Sequence, residues 1–209
     1  MNFLKDFLFK KLSKNPKAEI LAKEAFRKMI HIFAAAVPFA AKYAFYPVVI
    51  SLSVITLFYC IFEKMRLGGT KISIVSFITN FAARERDMGK FVLGPVTLSL
   101  GVILTLLIFK INSASVGIIS LALGDGLSGL AGKIWGKRHI FNMKDKTIAG
   151  SSVCFTAIFI SVFLYTGSFK TGLIIAFFGT IVELLPLKDF DNILIPVVCA
   201  GIASFLGSN

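Results

Sequence analysis

Residues 111–132, INSASVGIISLALGDGLSGLAG, run for 22 positions with a single charged group, Asp125. A helix of about 20 apolar residues is long enough to cross the hydrocarbon core of a bilayer. An ionised carboxylate inside such a run costs about 3 kcal/mol or more, so it calls for a partner or a role. Working outward, residues 43–62, 91–109, 147–169 and 192–209 hold no Asp, Glu, Lys or Arg, and 171–187 hold only Glu183. Residues 29–41 are apolar apart from His31. The pattern predicts an all-α polytopic membrane protein with about seven transmembrane helices, near 29–42, 44–62, 92–109, 114–132, 149–166, 171–186 and 192–207. The first is short, and the apolar stretch 72–83 is too short to cross, so it reads as re-entrant or interfacial.

Composition agrees. Of 209 residues, 56% are hydrophobic and 16% charged, against roughly 45–50% and 25% in soluble domains. A soluble domain, a disordered chain, a collagen-like repeat and a disulfide-rich scaffold are all excluded. Cys60, Cys154 and Cys199 stand alone in apolar stretches without metal-ligand spacing and read as small packing residues.

The net charge is +12, with the basic residues in short loops between apolar runs. With the N-terminus cytoplasmic, segments 1–28, 63–90, 133–146 and 187–191 carry 20 Lys and Arg, while the opposite side carries Lys42, Lys110 and Lys170. This bias satisfies the positive-inside rule. It points to anionic headgroups and a polyphosphate rather than nucleic acid. Phe3, Leu4, Phe7, Leu8 and Leu12 recur at helical spacing with lysines mostly opposite, and no cleavable signal peptide is visible. The expectation is a basic amphipathic segment over 1–28, lying in the headgroup plane, followed by one transmembrane catalytic domain over 29–209.

The polar residues crowd the cytoplasmic face: Arg27, Lys28 and His31 at the first span, Glu63 and Arg66 after the second, then Asp125, Lys144, Lys146, Thr147, Glu183, Asp191 and Asn192. Gly124, Gly126, Gly129, Gly132 and Gly136 surround and follow Asp125; that spacing suits close helix packing or approach of a phosphate. GDGLSG matches G-x-G-x-x-G in form, but it lies inside an apolar span with no βαβ unit, so a Rossmann reading is rejected. An acid among glycines, followed by Lys133, Lys137, Arg138, Lys144 and Lys146, has the parts to hold a magnesium–nucleotide. Gly150 and Ser151 open the fifth span, where a helix N-terminus suits a phosphate. Glu24 with Arg27 and Lys28, and Glu63 with Arg66, have the spacing of ordinary helical ion pairs.

These residues, in order, resemble the integral-membrane lipid-alcohol kinases, which include dolichol, phytol and CTP-dependent diacylglycerol kinases. The similarity runs from about residue 24 to 196 through Glu24-x-x-Arg27-Lys28-x-x-His31, Glu63-x-x-Arg66, Gly94-Pro95, Gly124-Asp125-Gly126 to Gly132 and Gly136-Lys137, Lys144-x-Lys146-Thr147-x-x-Gly150-Ser151, Val182-Glu183 and Asp191-Asn192-x-x-x-Pro196. The resemblance implies transfer of the γ-phosphate of CTP (or ATP) to the hydroxyl of a long-chain lipid alcohol, with Arg27, Lys28, Asp125 and Gly132 as the essential group. Ala149 stands where the family commonly has Glu, which bears on the choice of donor.

The roles expected are as follows. Asp125 binds Mg²⁺ or orients the attacking hydroxyl, while Arg27, Lys28, Lys144 and Lys146 hold the triphosphate. Glu183 or Asp191 makes a second Mg²⁺ contact. Gly124, Gly126, Gly132, Lys133, Thr147, Gly150, Ser151 and Asn192 line the nucleotide site, and His31, Glu63 and Arg66 support it. A phospholipid cytidylyltransferase would use the same parts, although the paired acids it would need are approached only by Asp189-Phe190-Asp191. A transporter would set its charges near the midplane and show two related halves, neither of which is evident. The sequence leaves the acceptor lipid and any oligomeric state open.

Overall fold

The structure, a computed structural model, describes residues 16–70, 79, 87, 89–140 and 143–207. Of the expected amphipathic segment over 1–28, residues 1–15 lie outside the described residues, as does 72–83 apart from Thr79, while 16–28 belong to one continuous helix that runs on to Ala34 with no break at 28. The chain forms α1 (Pro16–Ala34), α2 (Val37–Tyr43), α3 (Phe45–Leu67), α4 (Gly94–Ile108) and α5 (Ile111–Ile119), then a π-helical turn (Ser120–Asp125) leading into α6 (Gly126–Trp135). A hairpin of β1 (His139–Ile140) and β2 (Met143–Thr147) follows, then α7 (Ile148–Thr166), α8 (Phe169–Leu184), a 3₁₀ turn (Lys188–Phe190) and α9 (Asp191–Phe205).

Three of these helical stretches are long and apolar enough to cross a membrane: Phe45–Leu67, Ile111–Trp135 and Ile148–Thr166. The shorter Gly94–Ile108 is also apolar. They differ sharply in surroundings. The Ile111–Trp135 rod is the core of the bundle, with Ala114, Val116, Ile118, Leu121 and Ala122 buried against residues such as Ile158, Ile175 and Ile195. By contrast, Glu63 is the one buried residue of α3, while Tyr46, Ile50, Ile55 and Leu57 point outward. A helix apolar all round with an acid as its buried group is built for lipid, not water.

Two features depart from the sequence expectation. The first span is not one helix, because α1 stops at Ala34 and the amides of Ala35 and Ala36 turn back to Ile32 and Phe33 at 3.0 Å. Pro38 explains the break: it has no N–H to donate, and in a continued helix its ring would strike the Ala34 carbonyl. The basic loop 133–146 is not purely irregular either; it holds the antiparallel β1–β2 hairpin, pairing His139 with Thr147 and Ile140 with Met143. The fold is therefore helical with one small hairpin rather than strictly all-α.

Local sequence sets the remaining turns. Thr147 caps α7 by accepting from the Gly150 amide at 3.1 Å. Gly167, at φ +69°, ends α7, and Ser168 immediately caps α8 through the Thr171 amide at 3.2 Å. This Gly-Ser pair makes the tight reversal between α7 and α8. Glycine also lets the rod approach its neighbours: a Cβ on Gly117 would strike the Pro196 carbonyl of α9, and one on Gly124 would sit 2.6 Å from Ile158 of α7.

Candidate active site

One end of the bundle collects the ionic groups. The C-terminal turns of α3 and α8 meet there with the N-terminal turns of α4, α7 and α9, beside the middle of α1 and the end of the π turn. α1 brings four ionisable residues to this end, Glu24, Arg27, Lys28 and His31.

At the centre is Asp125, buried as the last residue of the π turn. Its Oδ2 accepts from Lys28 Nζ at 2.6 Å and faces His31 Nε2 at 3.2 Å. Lys28 and His31 lie three residues apart on α1, so one helical face presents both. Gly126 and Gly129 allow α1 this close: a Cβ at Gly126 would touch Ile32 at 3.0 Å, and one at Gly129 would collide with the Lys28 stem. The His31 ring is held on its other side by α1 itself, with Nδ1 at 3.0 Å from the Arg27 carbonyl oxygen. Nε2 also faces Asn192 Oδ1 at 3.0 Å.

A second pair lies across the rod. Lys146, at the end of β2, donates to Glu183 Oε1 on α8 at 2.6 Å, and Ser151 on α7 donates to Glu183 Oε2 at 3.4 Å. A third group forms around Glu24 of α1, buried between Arg27 and Lys133, the latter at 2.6 Å. Burial raises the Glu24 carboxyl, but the charges of Arg27, Lys28 and Lys133 outweigh it and hold the group below the usual carboxylate range. Arg27 keeps one buried donor, Nε, without a hydrogen-bond partner among the described residues.

The expected site residues therefore fall into distinct places. Arg27, Lys28, His31, Asp125, Lys133, Lys146, Ser151, Glu183 and Asn192 come together at this end. Thr147 uses its hydroxyl as the α7 cap, and a Cβ on Gly132 would lie 3.0 Å from that hydroxyl. Gly124, Gly126, Gly132 and Gly150 are each filled over by protein neighbours, so helix approach accounts for them. Asp191 accepts from the Asn192 amide at 2.9 Å and so serves the first turn of α9. The side chain of Lys144 lies outside what is described.

Glu63 and Arg66 form a separate cluster. Glu63 takes two hydrogen bonds from Arg66 at 2.7 and 2.8 Å, one from Thr79 at 3.0 Å and one from the Val92 amide at 3.0 Å. This anchors the end of α3 to the segment leading into α4. The sequence reading passed over Thr97, which together with the Gly94 carbonyl receives the Asn192 side-chain amide, at 3.0 and 3.5 Å. The available signal was a threonine one turn inside an apolar helix opened by Gly-Pro.

No family model matches the chain, and no solved structure does. By sequence it is 26% identical over 161 residues to a protein named probable phytol kinase 1, chloroplastic, from Glycine max, a match covering 68% of this chain and 53% of that protein. The chain thus spans about half the length of the curated relative to which it is similar.

Proposed function

We propose that this chain is a membrane-embedded kinase that moves the γ-phosphate of a nucleoside triphosphate, CTP first among the donors to test, onto the hydroxyl of a long-chain isoprenoid alcohol. The observation that carries the reading is Asp125, buried against Lys28 and His31 with Lys146 and Glu183 beside it, in a protein whose apolar helices suit a bilayer. The similarity to a phytol kinase supports the acceptor class. A polyprenol or diacylglycerol belongs to the same chemical class of bilayer-resident alcohol.

The chemistry follows from what these groups can do. Phosphoryl transfer asks for positioning and for neutralisation of charge on the phosphate oxygens. Lys28, Lys146 and Lys133 supply ammonium groups, and the unpartnered Arg27 Nε supplies a donor that a phosphate oxygen would satisfy. Asp125 orients the attacking hydroxyl and takes up its proton. Burial keeps competing water away from the transferred group.

Among the described residues no group of three or more His, Cys, Asp or Glu could hold a metal by itself. Mg²⁺ that arrives on a nucleotide needs only one or two protein carboxylates, its other positions being filled by phosphate oxygens and water. Asp125 and Glu183 fit that requirement; bound there, the ion would neutralise charge on the phosphates.

The membrane arrangement we propose has about seven crossings with the N-terminus and this polar end cytoplasmic, supported by the 20-to-3 distribution of basic residues.

Purified protein incubated with γ-labelled CTP or ATP and phytol, geranylgeraniol, polyprenol or diacylglycerol should yield a labelled lipid, and a metal chelator should abolish it. Label reaching the lipid from α-labelled CTP would instead establish a cytidylyltransferase. No labelled lipid from any pairing would end the kinase reading.

A further inference from the structure

Asn192 is the second residue of α9, and its backbone N–H and both ends of its side-chain amide are engaged by protein. Its backbone amide donates to Asp191 at 2.9 Å. Its backbone carbonyl lies so close to α4 that a Cβ on Gly101 would collide with it. Its side-chain Nδ2 donates to Thr97 Oγ1 at 3.0 Å, and its Oδ1 faces His31 Nε2 at 3.0 Å. All three side chains, Thr97, Asn192 and His31, are buried.

The order of donors along this line fixes an orientation. Thr97 sits within reach of two carbonyls of its own helix, Leu93 at 3.2 Å and Gly94 at 3.1 Å, so its single hydroxyl proton is directed to them. What Thr97 offers to Asn192 is a lone pair, which selects the NH₂ end of the amide. The carbonyl end must then face His31. His31 Nε2 thus meets two oxygens together, Asn192 Oδ1 and Asp125 Oδ2. Without the hydroxyl at position 97 only the longer 3.5 Å contact with the Gly94 carbonyl is left to tell the two ends of the amide apart, and the hold of that amide on the imidazole at Asp125 is weakened. Position 97 is itself held, since Glu63 binds the Val92 amide just before α4 begins.

We propose that Thr97 and Asn192 are positioning residues that hold His31 against Asp125. The imidazole in turn fixes the carboxylate that the kinase reading places at the acceptor hydroxyl. The kinetic part of this inference rests on that reading, while the hydrogen-bond line does not.

The experiment separates the two. The chain has two histidines, so His139→Asn, at an exposed hairpin position, leaves His31 as the sole source of imidazole nitrogen resonances. In that background Thr97→Val should move the His31 Nε2 resonance, and Thr97→Ser should return it. In the transfer assay Thr97→Val should lower kcat about five- to ten-fold, the size expected for one lost buried hydrogen bond. The nucleotide KM should stay unchanged, and Thr97→Ser should recover the rate. Thr97→Ala serves the same measurements if the valine variant does not extract as a folded protein. Unmoved His31 resonances in Thr97→Val or Thr97→Ala would overturn the proposal even if the wild type is a kinase. A moved resonance with no lipid phosphorylation by the wild type would uphold the line and end only the kinase reading. An unchanged kcat alongside a moved resonance would overturn its positioning role.

Discussion

Replacing Lys28 by Met keeps the length of the stem and removes the charge facing Asp125. In the wild type, Nζ and Oδ2 are 2.6 Å apart with both side chains buried. At an effective dielectric of about 20 their attraction is about 6 kcal/mol before desolvation is charged against it. Removing one member of a buried pair typically costs about 3–5 kcal/mol, because the other charge is left without a partner. His31 remains 3.2 Å from the same oxygen, which puts Lys28→Met near the lower figure, about 3 kcal/mol. Asp125→Asn strands Lys28 and should cost a similar amount, while the double variant removes both charges and should recover a coupling of about 2 kcal/mol or more. The assay is unfolding of all four proteins in one detergent, read as midpoint and slope, alongside lipid phosphorylation. The double variant should be better folded than either single variant and still inactive. Strictly additive losses would refute the ion pair as the organising contact, and transfer by the double variant would refute the role given to Asp125.

Three more outcomes follow from the same geometry. Lys146→Ala should raise the apparent KM for nucleotide and also lower stability, since Glu183 loses its 2.6 Å partner; an unchanged KM would move the phosphate site elsewhere. Gly117→Ala should destabilise by about 1–3 kcal/mol, because the atom it would strike is the backbone carbonyl of Pro196, which cannot swing aside, whereas a Cβ at Gly94 meets nothing within 4 Å and should be neutral to stability. Glu24 has a folded pKa below its unfolded one, so its contribution is complete above the unfolded value and disappears as pH falls through the folded one. Melting temperature should therefore drop on acidification below about pH 4, and Glu24→Gln should flatten that part of the curve; identical curves would show that the pairing of Glu24 with Arg27 and Lys133 adds nothing.

Hydropathy alone located the apolar runs, and the expense of a charge within them singled out Asp125 and Glu183 before any contact was known. The same expense brought Lys28 and His31 into the reading, since they sit at the edge of an apolar stretch. Partner choice was not legible. Lys28 and Asp125 are 97 residues apart and Lys146 and Glu183 are 37 apart, so only tertiary packing decides which ammonium meets which carboxylate. The sequence reading gave the lysines to phosphate and the acids to metal, and in the structure they hold one another. The break at Ala35–Ala36 had a local cause in Pro38, but a hydropathy scan does not register a missing N–H. The glycines illustrate the reverse difficulty: helix packing and phosphate binding want the same small residue, and only the neighbours of each position tell them apart.

The π turn at Ser120–Asp125 gives the central rod two different azimuths. Widening one turn from i→i−4 to i→i−5 bonding admits an extra residue, a rotation of about 100° relative to an uninterrupted α-helix. Upstream of it, Gly117 is phased toward α9; downstream, Gly126 and Gly129 are phased toward α1. A straight helix with the same residues would aim its acid into a different neighbour. The bearing of Asp125 is thus governed by how the turn absorbs its extra residue: closing it to α bonding with every residue kept would swing the acid by about 100°, whereas deleting one residue within 120–124 would let the turn close with that bearing preserved.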